Sequence, residues 1–261
     1  MKNTRFLQSW TFLALIFGLA GLIRADAGAR VTYLTNGVEA HGLNGSPSRV
    51  AIGNILSGGV TIDSGANARS ELTFVNRTVV RLGARTSLHL KDGAGAAELR
   101  DGAILFQIPK GSNAEITAGP VNLTSKGATG LLERNRDLYI KLLLLEGNAR
   151  VMLPGHLGES VVIEPGQIMI MNPKSMALPG AAYFNIARAV KTCRLLNEFP
   201  PLRGENLIAE EAAKQARLTK TGDYVSANLV IFGRGTQVTM IGAQRAEKPA
   251  KKHTGNSQSA D

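Results

Sequence analysis

The chain has 261 residues, 44% of them hydrophobic, 19% charged and 5% aromatic, with 30 Lys and Arg against 20 Asp and Glu for a formal net charge of +10. This length and apolar content give one sizeable core with room for a small second unit, and exclude a wholly disordered chain. A single Cys excludes an internal disulfide and a cysteine cage for zinc, and the lack of repeated long apolar runs excludes a polytopic membrane protein.

Residues 1–27 carry the three parts of an export signal: Lys2 and Arg5, an apolar run from Thr11 to Ile23, and Ala25-Asp26-Ala27. The small side chains of Ala25 and Ala27 suit a signal peptidase, so cleavage is expected after Ala27, with an uncleaved N-terminal anchor as the alternative. Either way the bulk of the chain is expected to be periplasmic or extracellular.

Residues 30–178 read as an all-β domain, because short alternating runs are punctuated by Gly, Asn and Asp. Leu72 and Phe74 alternate with Glu71 and Thr73, Val80 and Leu82 flank Arg81, and Leu88 and Leu90 flank His89, giving each run one wettable face. The same holds for Ile104, Phe106 and Ile108, for Val121 and Leu123, and for Ile168 and Ile170. Turns are expected at Leu82-Gly83-Ala84, Lys91-Asp92-Gly93, Arg100-Asp101-Gly102, Glu146-Gly147-Asn148 and Pro165-Gly166-Gln167. Residues 138–145 lose the alternation and read as a strand buried on both sides, with a buried helical turn as the alternative. The fold class is therefore mainly β, a sandwich or roll of short strands followed by a small helical segment, with a β-solenoid as the alternative.

Beyond Pro179-Gly180 the period changes. Residues 182–221 read as an amphipathic helical segment: a first helix over 182–197, with Tyr183, Ile186, Ala187, Val190 and Cys193 on one side, then a weaker one over 206–220. Such a pair could cover an open face of the sheet, dock a partner or lie on a membrane, and packing on its own domain is the simplest outcome. Residues 222–242 suggest a hairpin about Gly233-Arg234-Gly235, and 243–261 form a basic tail expected to be disordered.

No reactive constellation stands out. His41, His89, His156 and His253 lie in no recognisable motif, and Cys193 on the apolar side of its helix reads as a buried, inert thiol. Glu210 and Glu211 read as a solvated helix face, Asp92 and Asp101 as turn residues, and Gly58-Gly59 and Gly127 as turns. No Gly-rich phosphate loop and no Asp-rich calcium loop is present, so no catalytic, cofactor or metal residues are assigned and no cofactor is expected. The positive charge is spread thinly, without a basic stripe or an aromatic stacking platform, which argues against nucleic acid as a partner.

Several segments resemble the FecR-type extracytoplasmic domain. They are Gly53 to Gly65, Ala68 to Phe74 with Thr78 to Gly83, Leu99 to Gly111 ending in Pro109-Lys110-Gly111, Leu145 to Val151, and Ile163 to Gln167. The resemblance spans about residues 48–170 and rests on the order of these pieces more than on any one. Where the family often carries a large apolar residue, Gly127-Ala128-Thr129 here leads to Gly130. Signalling members of the family join such a domain through a membrane helix to a cytoplasmic anti-sigma segment, whereas here only an export signal is expected ahead of it. The resemblance implies an exported, non-enzymatic binding or sensing module of the bacterial envelope with an envelope protein as partner. The alternative is a structural envelope protein associating with anionic glycan or a lipid surface through its diffuse charge.

Overall fold

The computed structural model describes residues 28–43, 45–136, 138–155, 159–175 and 177–221. The export signal over 1–27, the hairpin over 222–242, the tail over 243–261, and with them His156 and His253, lie outside the described residues.

The chain opens with β1 (Ala29–Thr35), β2 (Val38–His41), β3 (Ser48–Arg49), β4 (Ile55–Leu56), β5 (Thr61–Ser64) and β6 (Arg69–Phe74). There follow β7 (Val79–Leu82), β8 (Ser87–Leu90), the long β9 (Ala96–Ile108), β10 (Ala114–Ala118), β11 (Val121–Ser125) and β12 (Ala128–Asn135). The last strands are β13 (Tyr139–Gly147), β14 (Ala149–Met152), β15 (Ser160–Ile163), β16 (Gln167–Met171) and β17 (Ala182–Tyr183). Three helices complete the described chain: α1 (Ile186–Thr192), α2 (Arg194–Asn197) and α3 (Glu205–Lys220).

The strands form one connected, open hydrogen-bonded network that makes two layers. In the first layer the order is β4-β1-β6-β7-β9-β12-β13-β16-β17, antiparallel throughout. In the second it is β3-β2-β5-β8-β9-β10-β11-β14-β15, where only the β9–β10 pair is parallel. β9 belongs to both: Ala97 to Asp101 pair with β8, while Gly102 to Ile108 pair with β12. The expected turn at Arg100-Asp101-Gly102 is thus corrected, since these residues lie inside β9 and Gly102, at φ +93°, marks the crossing between layers. Antiparallel hairpins that alternate between layers also replace the solenoid alternative with a sandwich.

Period-two alternation aims one side of each strand into the space between the layers. There Leu72, Phe74, Val80 and Leu82 of the first layer meet Ile62, Leu88, Ile116 and Leu123 of the second. The second layer leaves its other side to solvent, as the alternating burial of β8, β10 and β11 records. The first layer is covered on both sides at β13 and its neighbours, whereas β1 leaves Arg30 and Thr32 exposed. β13 is buried along nearly its whole length, with Ile140, Leu142 and Leu144 in the interlayer core and Leu143 and Leu145 in a second apolar layer under the helices.

The second apolar layer joins Leu105, Leu131, Leu143 and Ile168 to Phe184, Ile186, Leu195, Phe199 and Ile208, so the helical segment packs on its own β-domain. The first helix is shorter than 182–197. Ala182–Tyr183 pairs with β16 as an edge strand, and the helix breaks at Cys193, whose backbone is extended at ψ 110°. Asn185 caps α1 by accepting from the Arg188 N–H at 2.8 Å, and the Asn197 amide donates to the carbonyls of Val190 and Lys191 at 3.0 and 3.2 Å. Gln215 of α3 accepts from the Ile186 N–H at 2.8 Å and donates to the Phe184 carbonyl at 2.7 Å, clipping α3 to the start of α1.

Candidate functional site

A cavity of about 350 Å³ opens where the helices meet the outer side of the first layer. Its floor comes from Ala103 of β9, Leu131 and Glu133 of β12, and Lys141 and Leu143 of β13; Leu195 of α2 forms a wall. Arg69 of β6, Arg85 of the β7–β8 turn and Arg194 of α2 stand around it. A second recess of about 440 Å³, lined by Asp101, Arg134, Asn135, Arg136 and Tyr139, adjoins it through the shared Gly102 and Glu133.

Charge in this trough is organised in three units. On the floor, Lys141 is 3% exposed and ion-paired with Glu133, which also accepts from the Tyr139 hydroxyl at 2.5 Å. The Lys141 ammonium lies 5.4 Å from the Tyr139 ring centroid, adding a cation–π contact. At the rim, the Glu198 carboxylate takes both Arg69 and, at 2.7 Å, Arg194. Arg85 is exposed in the left-handed region at φ +53°, and no carboxylate faces it among the described residues. Among the described residues of the first cavity, Arg69, Arg85, Lys141 and Arg194 thus stand with the carboxylates of Glu133 and Glu198.

Beside it, Arg81 of β7 holds the helical segment in place. The expectation that Arg81 sits on a wettable face is corrected: it is 1% exposed, because Phe199 to Pro201 and α2 cover that side of the strand. Its Nε donates to Glu71 at 2.8 Å, one terminal nitrogen to the Leu195 carbonyl at 3.0 Å and the other to the Pro200 carbonyl at 2.5 Å. The guanidinium carbon lies 4.9 Å from the Phe199 ring centroid, and Phe199 meets Tyr33 at 5.1 Å. Each of the three guanidinium nitrogens thus has an acceptor, which offsets the cost of burying the charge.

The residues singled out in the sequence fall elsewhere or on the margin of this site. Cys193 lines the cavity but is 1% exposed, and burial pushes its thiol pKa up. Glu210 is exposed and Glu211 pairs with Lys214 at 3.5 Å, a solvated face as expected. His41 and His89 lie on the outer side of the second layer. His41 Nε2 meets Asp63 at 3.0 Å, and His89 Nδ1 meets the Thr61 hydroxyl at 3.1 Å. Arg100 also donates to that hydroxyl at 3.1 Å. Burial first, then the charge of Arg100, lowers the His89 pKa.

Sequence reasoning passes over Arg69, Arg81, Glu133, Lys141 and Glu198. The one local signal is a charged side chain at the alternate position of an otherwise apolar strand, as at Arg81 and Lys141, and it gains meaning only once a cover over that side is known.

Residues 60–150 match the family described as FecR protein, and this stretch is a FecR-type domain. Among solved structures, the chain is similar to two crystal structures, each of a candidate anti-sigma factor from Parabacteroides distasonis ATCC 8503. One shares 16% identity at a TM-score of 0.41, covering 47% of this chain and 59% of that one. The other shares 14% identity at a TM-score of 0.42, covering 51% of this chain and 64% of that one. The match thus spans about three fifths of those chains. No curated protein matches the chain.

Proposed function

We propose that this protein is an exported, non-enzymatic binding or sensing module of the bacterial envelope that acts through contacts with another envelope protein. The observation that carries the reading is the FecR-type match over residues 60–150, since domains of that family work outside the cytoplasm as sensing modules. One structural feature supports it. Among the described residues β15 pairs only with β14 and ends its layer, with Val162 45% exposed, and such an edge can accept a strand from a partner. Among the described residues no helix is long and apolar enough to cross a membrane.

The test is recovery of the tagged protein from envelope extracts of its own host, with N-terminal sequencing of the product. A stoichiometric protein partner retained through moderate salt, on a chain beginning at Gly28, is the expected result. Recovery from the cytosol with the leader intact overturns the reading. Salt-labile retention on anionic glycan or lipid, without a protein partner, replaces it with the structural alternative.

A further inference from the structure

We infer that the end of the sandwich where β1 begins rests against a bilayer surface with anionic head groups. At that end Ile55 of β4 pairs with Arg30, which pairs in turn with Thr73, on the outer side of the first layer. One step outward comes Gly28, where an added Cβ would lie 3.2 Å from Ile55 Cγ2, so the isoleucine leans over a position that has no side chain. Val75 follows Phe74, the partner of Ala29, and thus stands on the far side of Gly28. Ile55 is 59% exposed and Val75 62% exposed, which makes an apolar tip that the described residues leave open.

Cations stand around the tip. The turn after Val75 carries Arg77 and is bound to a second turn: the Asn76 side chain donates to the Asn113 carbonyl at 2.8 Å, and the Ser112 hydroxyl to the Asn76 carbonyl at 2.9 Å. The second turn carries Lys110 and is held to a third by the Gly111 N–H, which donates to the Lys126 carbonyl at 3.0 Å. Arg30, Arg77, Lys110 and Lys126 are exposed, and none forms an ion pair among the described residues. The exposed carboxylates toward the same end are Asp92, against Gly58, and Glu164, after β15. Cations around an apolar tip suit lipid phosphates and the acyl boundary beneath them, whereas an anionic glycan gives Ile55 and Val75 no apolar medium. The chain order points the same way, because Gly28 follows directly on residues 1–27 with their apolar run from Thr11 to Ile23. Whether that run is cut off or kept as an anchor, the end of the domain that starts nearest the bilayer is this one. The contact is separate from strand addition at β15 and its test uses purified protein and vesicles alone, so either reading can fail without the other.

All residues of both apolar cores lie beyond Gly28, so the chain from Gly28 onward keeps the described fold without the leader's own affinity for lipid. The experiment is co-sedimentation of that chain with vesicles of phosphatidylcholine alone, and of phosphatidylcholine and phosphatidylglycerol in equal parts. Binding is expected on the mixed vesicles, with a loss of about tenfold or more on the neutral ones. Ile55→Ser with Val75→Ser, and separately Arg77→Gln with Lys110→Gln, should each weaken it about tenfold at an unchanged melting temperature, since all four side chains are exposed. Leu138→Ser, at the opposite end and 64% exposed, should leave binding unchanged. The proposal is overturned by no binding to the mixed vesicles, by equal binding to the neutral ones, or by a Leu138→Ser loss as large as that of the apolar pair. Binding that loses nothing when Ile55 and Val75 are changed also overturns it, in favour of a plain polyanion site.

Discussion

Phe106 and Gly130 face each other across the β9–β12 ladder, and the phenyl ring occupies the space a side chain on Gly130 would fill. A Cβ built at Gly130 would lie 2.6 Å from Phe106 Cζ and 2.6 Å from the Leu143 carbonyl oxygen. The large apolar residue absent at this point of β12 is supplied laterally by β9, so the interlayer core keeps its density. Gly130→Ala is therefore expected to destabilise the fold by about 1–3 kcal/mol through overpacking, read by urea unfolding. Adding Phe106→Leu should make the double variant less destabilised than the sum of the two single changes, whereas strict additivity would disconnect the two sites.

Arg81→Ala removes the cation from Glu71 and the donors from two carbonyls of the helical segment. Breaking a buried pair in this way costs about 3–5 kcal/mol. Because the loss falls on the contact between segment and sheet, labelling of Cys193 by a thiol reagent should accelerate by about a hundredfold or more as the segment opens locally. Labelling at the wild-type rate in a folded Arg81→Ala protein would contradict the tethering role.

Gly102 holds a left-handed conformation in the middle of β9, and a Cβ there would lie 2.5 Å from Thr86 Oγ1, 2.6 Å from Thr86 Cα and 2.7 Å from the Arg85 carbonyl. Gly102→Ala combines backbone strain with a clash against main chain that cannot swing aside, for an expected loss of about 2 kcal/mol or more. Thermal unfolding checks it. Gly155→Ala, also at positive φ but with open space around its Cβ, is the control and should cost less.

His89 gives a pH dependence of known sign. Its folded-state pKa lies below the ordinary imidazole value of 6.5, through burial and then Arg100. Just below pH 6.5 the unfolded chain therefore binds more protons than the folded one, and stability falls as pH drops through that window. The effect is small because the ring stays partly open to water. NMR titration should place the His89 midpoint below 6.5, and Arg100→Gln should move it upward by removing the nearby charge. A midpoint unmoved by Arg100→Gln would rule out that coupling.

Much of the β-architecture was legible from local pattern. The single wettable side at β8, β10 and β11 follows from alternation, and the unbroken apolar run of β13 correctly announces burial on both sides. Arg81 shows the limit of that logic: the side of a strand that alternation marks as wet stays wet only if nothing distant folds over it, and here the cover lies 114 residues further along the chain. Gly102 carries a turn signal yet sits within a strand, because a positive φ serves a crossing between layers as well as a reversal. The break at Cys193 has no Gly or Pro to mark it. The trough was invisible for the same reason as the buried Arg81, since Arg69, Lys141 and Glu198 come from three separate stretches that only the docked segment unites.

The tether between β7 and the carbonyls of Leu195 and Pro200 also sets an order of events during synthesis. A chain made from its N-terminus completes both layers while the residues that shield Leu131, Leu143 and Ile168 are still to come. Until then one greasy side of a nearly finished sandwich stands bare, and the newborn protein is at its most sticky just before its final helices arrive. Any truncation that ends the chain ahead of Phe184 would freeze it in that vulnerable condition.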